Sequence, residues 1–291
     1  MSEMVRAAGD SARYLEDGDL NEDLVFKLYS AQQRSRGMLI FGTGCVWIVL
    51  QLVYMDYHSL GLSFDTPTLV YGITAAVFVT LSNILLLECL GHLPISMAST
   101  IYRLNTIPLV VLAFIFLAEN PGLIAGFGIL LGVVTVLLLY QPKHIETSAI
   151  PHFRLFVLLI IGASCLRALY GIFTKAGLNS GADANTIMFF AAIAWCLGGL
   201  GYACFRERRV RITAIKLKYM AITGGLVFAI IWLLTTALAL GDASLVVPLT
   251  NMGFVAAFIF SVLLKLEKLT LRKSVAIASA VLSIVLLTHE I

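Results

Sequence analysis

Residues 66–90 read TPTLVYGITAAVFVTLSNILLLECL, and Glu88 is the only formal charge in that run. A bilayer core about 30 Å thick is crossed by about 20 apolar residues of helix, so this stretch is long enough to span it. Working outward, eight further stretches meet the same length: 37–57, 95–118, 121–140, 154–176, 185–205, 216–240, 243–264 and 271–288. In lipid the backbone must satisfy its own hydrogen bonds, which leaves helices or closed barrels, and these runs are too long for barrel strands. Connections as short as Gly91-His92-Leu93-Pro94 and Gly241-Asp242-Ala243 make tight antiparallel hairpins. The composition agrees, at 59% hydrophobic and only 13% charged. Soluble domains carry about a quarter charged residues, so the water-soluble class is excluded. The expectation is an all-α, multi-pass membrane protein.

The net charge of +3 is too small to argue for a nucleic-acid partner. Its distribution says more. With loops alternating sides, one side collects Arg6, Arg13, Lys27, Arg34, Arg36, Lys143, Arg206, Arg208, Arg209, Arg211, Lys216, Lys218, Lys265, Lys268, Arg272 and Lys273, while the other holds little beyond Lys175. The positive-inside rule places the first side in the cytoplasm of a cytoplasmic membrane, with the C-terminus outside. Residues 1–36 are polar, with Leu20, Leu24, Leu28 and Ala31 at helical spacing, which suits either a surface amphipathic helix or a feeding loop. Cys45, Cys89, Cys165, Cys196 and Cys204 form no CxxC pair and read as packing residues. No metal-ligand cluster, Walker loop or nucleophile–base set is visible, so no cofactor is expected and an enzyme is not.

An offset of 148 residues superposes one half of the chain on the other. Phe41 meets Phe189, Trp47 meets Trp195, Tyr54 meets Tyr202, Tyr71 meets Tyr219, Ser96 meets Ser244 and Glu119 meets Glu267. Five crossings separate equivalent points, and an odd number turns the two halves upside down with respect to each other. The architecture expected is a helical bundle of two inverted-topology repeats, residues 37–143 with four spans and 144–291 with five. Such repeats are the architecture of alternating-access transporters, with substrate held between the halves near the midplane. A non-transporting scaffold is the competing reading. The equivalent of span 154–176 would fall at 6–28, which is too polar to cross.

The residues that carry a family resemblance occur twice. Leu90-Gly91-His92-Leu93-Pro94-Ile95-Ser96-Met97-Ala98-Ser99 precedes an apolar helix ending Phe116-Leu117-Ala118-Glu119-Asn120; Leu240-Gly241-Asp242-Ala243-Ser244 precedes one ending Leu264-Lys265-Leu266-Glu267-Lys268. This resembles the "P-A-S, spanning helix, G-E" block of the drug/metabolite transporter superfamily, in its EamA-like branch. Ala118 and Leu266 stand where the family carries glycine. The resemblance implies a ten-helix fold of two five-helix repeats, against nine convincing spans here. It implies a carrier of small metabolites, with export of an amino acid or organic anion fitting the family best. A member lacking its first helix, and so incomplete, is the alternative.

Ionisable groups inside spans are costly and mark function by default. Arg103 lies in span 95–118 and Arg167 near the middle of span 154–176. A guanidinium is a rigid fork of donors suited to carboxylate or phosphate, so the two together suggest an anion-binding cavity. The competing reading pairs Arg103 with Glu88 and turns Arg167 to a backbone carbonyl. Asn251 is the repeat equivalent of Arg103, and Asn83 and Asn105 are further intramembrane amides that serve either substrate or helix packing. Tyr170, Trp195, Trp232 and Tyr102 are the aromatic candidates for a pocket wall. Gly122, Gly126, Gly128 and Gly132 give small-residue spacings matched by Ser274, Ala276 and Ala280; such faces serve close packing within one chain or in a homodimer. The partners expected are therefore a small-molecule substrate, the lipid bilayer and, on one reading, a second copy.

Overall fold

The structure is a computed structural model that describes residues 36–139, 152–207, 214–253 and 271–289. The N-terminal polar segment, the second half of span 243–264, Glu267 and most of the basic loop residues lie outside the described residues. Helices α1 Arg36–Tyr57, α2 Thr66–Leu90, α3 Ile95–Arg103, α4 Thr106–Phe116 and α5 Leu123–Leu139 come first. There follow α6 Phe153–Asn179, α7 Ala184–Tyr202, α8 Ala214–Leu240, α9 Ala243–Asn251 and α10 Leu271–Thr288. A single π turn, Ala203–Glu207, extends α7. There is no strand among the described residues. Among the described residues, six helical segments are long and apolar enough to cross a membrane, and α5 and α10 supply two shorter apolar ones.

Outward faces are apolar. On α2, Val70, Ile73, Val77 and Leu81 recur at helical spacing, each about half exposed; Ile222, Leu226 and Leu233 do the same on α8. Hydrocarbon against these stripes removes a cost that water would impose at about 25 cal/mol per Å². Inside, large aliphatics such as Met38, Leu86 and Leu90 pack with small residues, hydroxyls and aromatics, and Trp47, Trp195 and Tyr170 are among the largest fully buried side chains. The protein is an all-α, multi-pass membrane protein.

Carboxylates organise the helix starts. Asp65 caps α2 by accepting from Thr68 N at 3.2 Å and from the Thr68 hydroxyl at 2.6 Å. Asp183 caps α7 in the same way through Thr186, at 2.7 and 2.6 Å. The two caps are cross-linked, since Ser63 N donates to Thr186 Oγ1 and Asp183 N to Thr68 Oγ1. At the opposite end Glu207 caps α1, accepting from Arg36 N at 2.8 Å and Gly37 N at 3.1 Å. There Glu88 also joins the Arg36 guanidinium at 2.6 Å and the Tyr202 hydroxyl, so the ends of α1, α2 and α7 are tied together.

Hydrogen bonds from Ser63 and Thr68 hold the Asp65 carboxyl below its ordinary range. Its stabilising contribution is therefore complete above the unfolded carboxylate pKa of about 3.9 and is lost as pH falls through the lower folded value. Asp65→Asn is expected to flatten the acid limb of the stability curve below about pH 4, read as melting temperature against pH. An unchanged acid limb would remove this cap from the account.

The helix starts repeat. Arg36, Thr66, Ile95 and Leu123 begin α1, α2, α3 and α5; Ala184, Ala214, Ala243 and Leu271 begin α7, α8, α9 and α10, each 148 residues later, the separation also of the hydrogen-bonded pair Arg103 and Asn251. The short helices α3 and α9 have the same length, 9 residues. Equivalent helices pack on each other and run antiparallel: along α1 and α7, Gly37 lies on Ala203 and Gly44 on Cys196. Along α5 and α10, Gly128 lies on Leu287 and Thr135 bonds Ser279 at 2.8 Å.

The α1–α7 contact is backbone on backbone. A Cβ at Gly199 would stand 2.3 Å from Phe41 N, which no rotamer change relieves. Gly199→Ala is expected to force the helices apart and cost about 2 kcal/mol, measured as a loss of melting temperature in detergent. A melting temperature equal to wild type would mean the seam is looser than described. Gly128 and Gly132 of the small-residue face are used within the chain, against α10, whereas Gly126 meets nothing within 4 Å.

Span 95–118 departs from expectation: it is interrupted at Leu104–Asn105, between α3 and α4. Pro108 is the cause. Its ring occupies the place where an N–H would bond the Leu104 carbonyl, and Ile107 N bonds that carbonyl instead at 3.0 Å. The Arg103 carbonyl loses its helical partner in turn, and Asn251 Nδ2 takes it up at 3.4 Å.

The segment after α4 turns at Ala118, whose φ of 53° lies in the left-handed region. Glycine carries no Cβ penalty there, which gives a physical reason for the glycine the family pattern has at this position. Ala118→Gly is expected to raise stability by about 0.5–1 kcal/mol, against the usual destabilising effect of that exchange. A lower melting temperature in the variant would contradict the backbone geometry.

Candidate substrate cleft

Five helices converge on one interior cleft. Asn83 and Leu86 come from α2, Tyr102 from α3, Arg167 from α6, Trp195 from α7, and Val227, Ile230 and Ile231 from α8. Its free volume is about 40 Å³, room for a few water molecules, so a metabolite enters only as the walls move apart. Arg167 stands with its guanidinium 5.4 Å from the Tyr170 ring centroid, and Tyr170 is buried behind it. A hydrogen-bond chain fixes the neighbouring wall. Ser82 Oγ donates to Ala163 O at 2.8 Å and lies 3.1 Å from the Tyr102 hydroxyl, while Ser164 Oγ donates to Tyr102 O. These bonds clamp α2, α3 and α6 together one turn from Arg167.

Buried donors are unevenly satisfied. Asn83, 3% exposed, returns its amide N–H to Val79 O at 2.7 Å. The indole N–H of Trp195 is buried and has no acceptor among the described residues. Leaving such a donor unpaired costs about 1–3 kcal/mol, a cost that a bound acceptor removes.

The sequence candidates divide into two groups. Arg167, Asn83, Trp195 and Tyr102 line the cleft, with Tyr170 behind Arg167. Arg103 lies in a separate crevice with Thr106, Gly132, Val136, Pro248 and Met252, closed to any free volume. Asn105 and Asn251 bond each other at 2.8 Å, and Asn251 also donates to Thr106 Oγ1 at 2.7 Å. This set is a joint that seals the break between α3 and α4 against the end of α9. Glu88, considered as a partner for Arg103, is held by Arg36 and Tyr202. Trp232 packs on Tyr54 of α1, ring centroids 5.8 Å apart, and is not among the residues lining the cleft. The apolar lining from α8 was not anticipated, although Ile231 is the repeat equivalent of Asn83 and the offset points to it.

Among the described residues, positions 148 apart meet where Trp47 packs on Trp195, at 5.8 Å between centroids, and where Asn251 bonds Arg103. Asn83 and Ile231, also 148 residues apart, both line the cleft.

Comparison with known proteins gives three findings. Residues 154–289 match the EamA-like transporter family. A solved structure described only as the crystal structure of a protein superposes with a TM-score of 0.70 at 15% identity, covering 96% of this chain and 99% of that one. At that identity the likeness shows the fold alone. No curated protein matches. The second half of the chain, residues 154–289, is thus similar to the EamA-like transporter family.

Proposed function

We infer that the protein is a secondary carrier of a small organic anion, an amino acid or organic acid, across the cytoplasmic membrane, working by alternating access of two inverted halves. The observation that carries this reading is the position of Arg167, a cation inside the bilayer span, in a cleft between the halves with Asn83, Tyr102 and Trp195. Intramembrane cations that face a cavity mark substrate paths. The antiparallel packing of equivalent helices supports inversion, and the gathering of Arg36 and Arg206 at one end of the bundle supports a cytoplasmic face there. Export is the direction the family resemblance favours.

A thermal-shift panel of organic anions, zwitterions and cations tests the reading on wild type, Arg167→Gln and Arg103→Gln. Stabilisation by anions is expected in wild type and in Arg103→Gln, and is expected to vanish in Arg167→Gln. Stabilisation by cations, or by anions equally in all three proteins, would overturn it. Silence from every class would favour the non-transporting scaffold.

A further inference from the structure

Trp47 and Trp195 are repeat equivalents at the crossing of α1 and α7, and they meet edge to face with an interplanar angle of 84°. They are 0% and 1% exposed. The indole N–H of each is buried with no acceptor among the described residues. A buried indole ordinarily finds a hydrogen-bond partner. Two unpaired indoles in contact at positions 148 residues apart therefore form a pattern rather than two separate packing defects. The two differ in one respect: Trp195 lines the cleft with Arg167 and Asn83, and Trp47 is not among its lining residues.

We propose that these two N–H groups are alternate substrate donors, Trp195 serving the conformation described here and Trp47 the conformation of opposite access. The proposal rests on the anion-carrier reading and deepens it. In an inverted-repeat carrier, exchanging the conformations of the halves converts one access state into the other. Each residue then takes up the surroundings of its equivalent, so Trp47 inherits the cleft position that Trp195 now holds. The cargo keeps a neutral indole N–H donor in both states. A guanidinium and an indole N–H are donors only, so these two groups select a headgroup with two or more acceptor oxygens, a carboxylate or phosphoryl group.

The test uses the full chain in proteoliposomes of defined orientation, with glutamate, succinate and inorganic phosphate as probes applied from either face. Replacement by phenylalanine keeps an aromatic ring and removes the N–H. Trp195→Phe is expected to weaken probe binding about tenfold from one face only, and Trp47→Phe about tenfold from the other. A measurement on wild type guards against variants that fold poorly. Its three tryptophans give three ¹⁵N-indole resonances, and the Trp195 resonance is expected to shift when a probe is added. Equal effects of both variants at both faces would overturn the alternation. If Trp195→Phe binds as wild type while Arg167→Gln does not, the donor role falls and the anion site stands. Binding unaffected by Arg167→Gln but lost in the tryptophan variants would overturn the anion reading and leave the donors. No binding of any probe by wild type would overturn both.

Discussion

Glu119→Ala is expected to destabilise the protein by about 3 kcal/mol, the largest stability effect of any single side chain considered. Glu119 is 7% exposed, and its two oxygens accept from Ala243 N at 2.9 Å and Ser244 N at 2.8 Å. Those N–H groups open α9, where four donors lack helical partners and the helix dipole favours negative charge. Ala243 and Ser244 are themselves buried, so no water replaces the carboxylate. A charge-assisted bond contributes about 1.5–3 kcal/mol, and removing two of them leaves two buried donors unsatisfied. Glu119→Gln keeps one acceptor without the charge and is expected to fall between. Denaturant unfolding in detergent orders the three proteins; an alanine variant within about 0.5 kcal/mol of wild type would show that the cap is not needed.

Arg167→Gln is expected to weaken anion binding by about a hundredfold with the melting temperature little changed. Glutamine keeps an amide donor and most of the length, so the change isolates the charge and the fork. Arg167→Lys restores charge without the planar pair of donors and is expected to recover only part of the affinity. Titration calorimetry with glutamate, succinate and phosphate separates the variants. Equal affinity in wild type and Arg167→Gln would assign the arginine to packing on Tyr170, whose ring lies 5.4 Å away.

Much of the fold could be read from the chain, because crossing a bilayer constrains length and polarity so tightly. The stretch 66–90 became α2, Thr66–Leu90, and 37–57 became α1, Arg36–Tyr57. The break at Leu104–Asn105 escaped a hydropathy argument because it changes backbone hydrogen bonding and not polarity; Pro108 was the local sign. The helical segments that carry Arg103 and Arg167 were legible, but the azimuth of each side chain was not. Which face of a helix looks into the cleft depends on packing against α2, α6 and α8, and that sent Arg167 to the cleft and Arg103 to the α3–α9 joint. Trp195 and Trp232 separated for the same reason. Glu119 stands at the end of a span in the sequence, yet its partners lie 124 and 125 residues away, a pairing no local pattern encodes.

Counterflow in proteoliposomes tests the central claim most directly. Vesicles loaded with an anion found to stabilise the protein are diluted into the labelled anion, with wild type and Arg167→Gln compared. Transient accumulation driven by the internal anion is expected in wild type and none in Arg167→Gln. Binding without accumulation in wild type, or equal accumulation in both proteins, would contradict it.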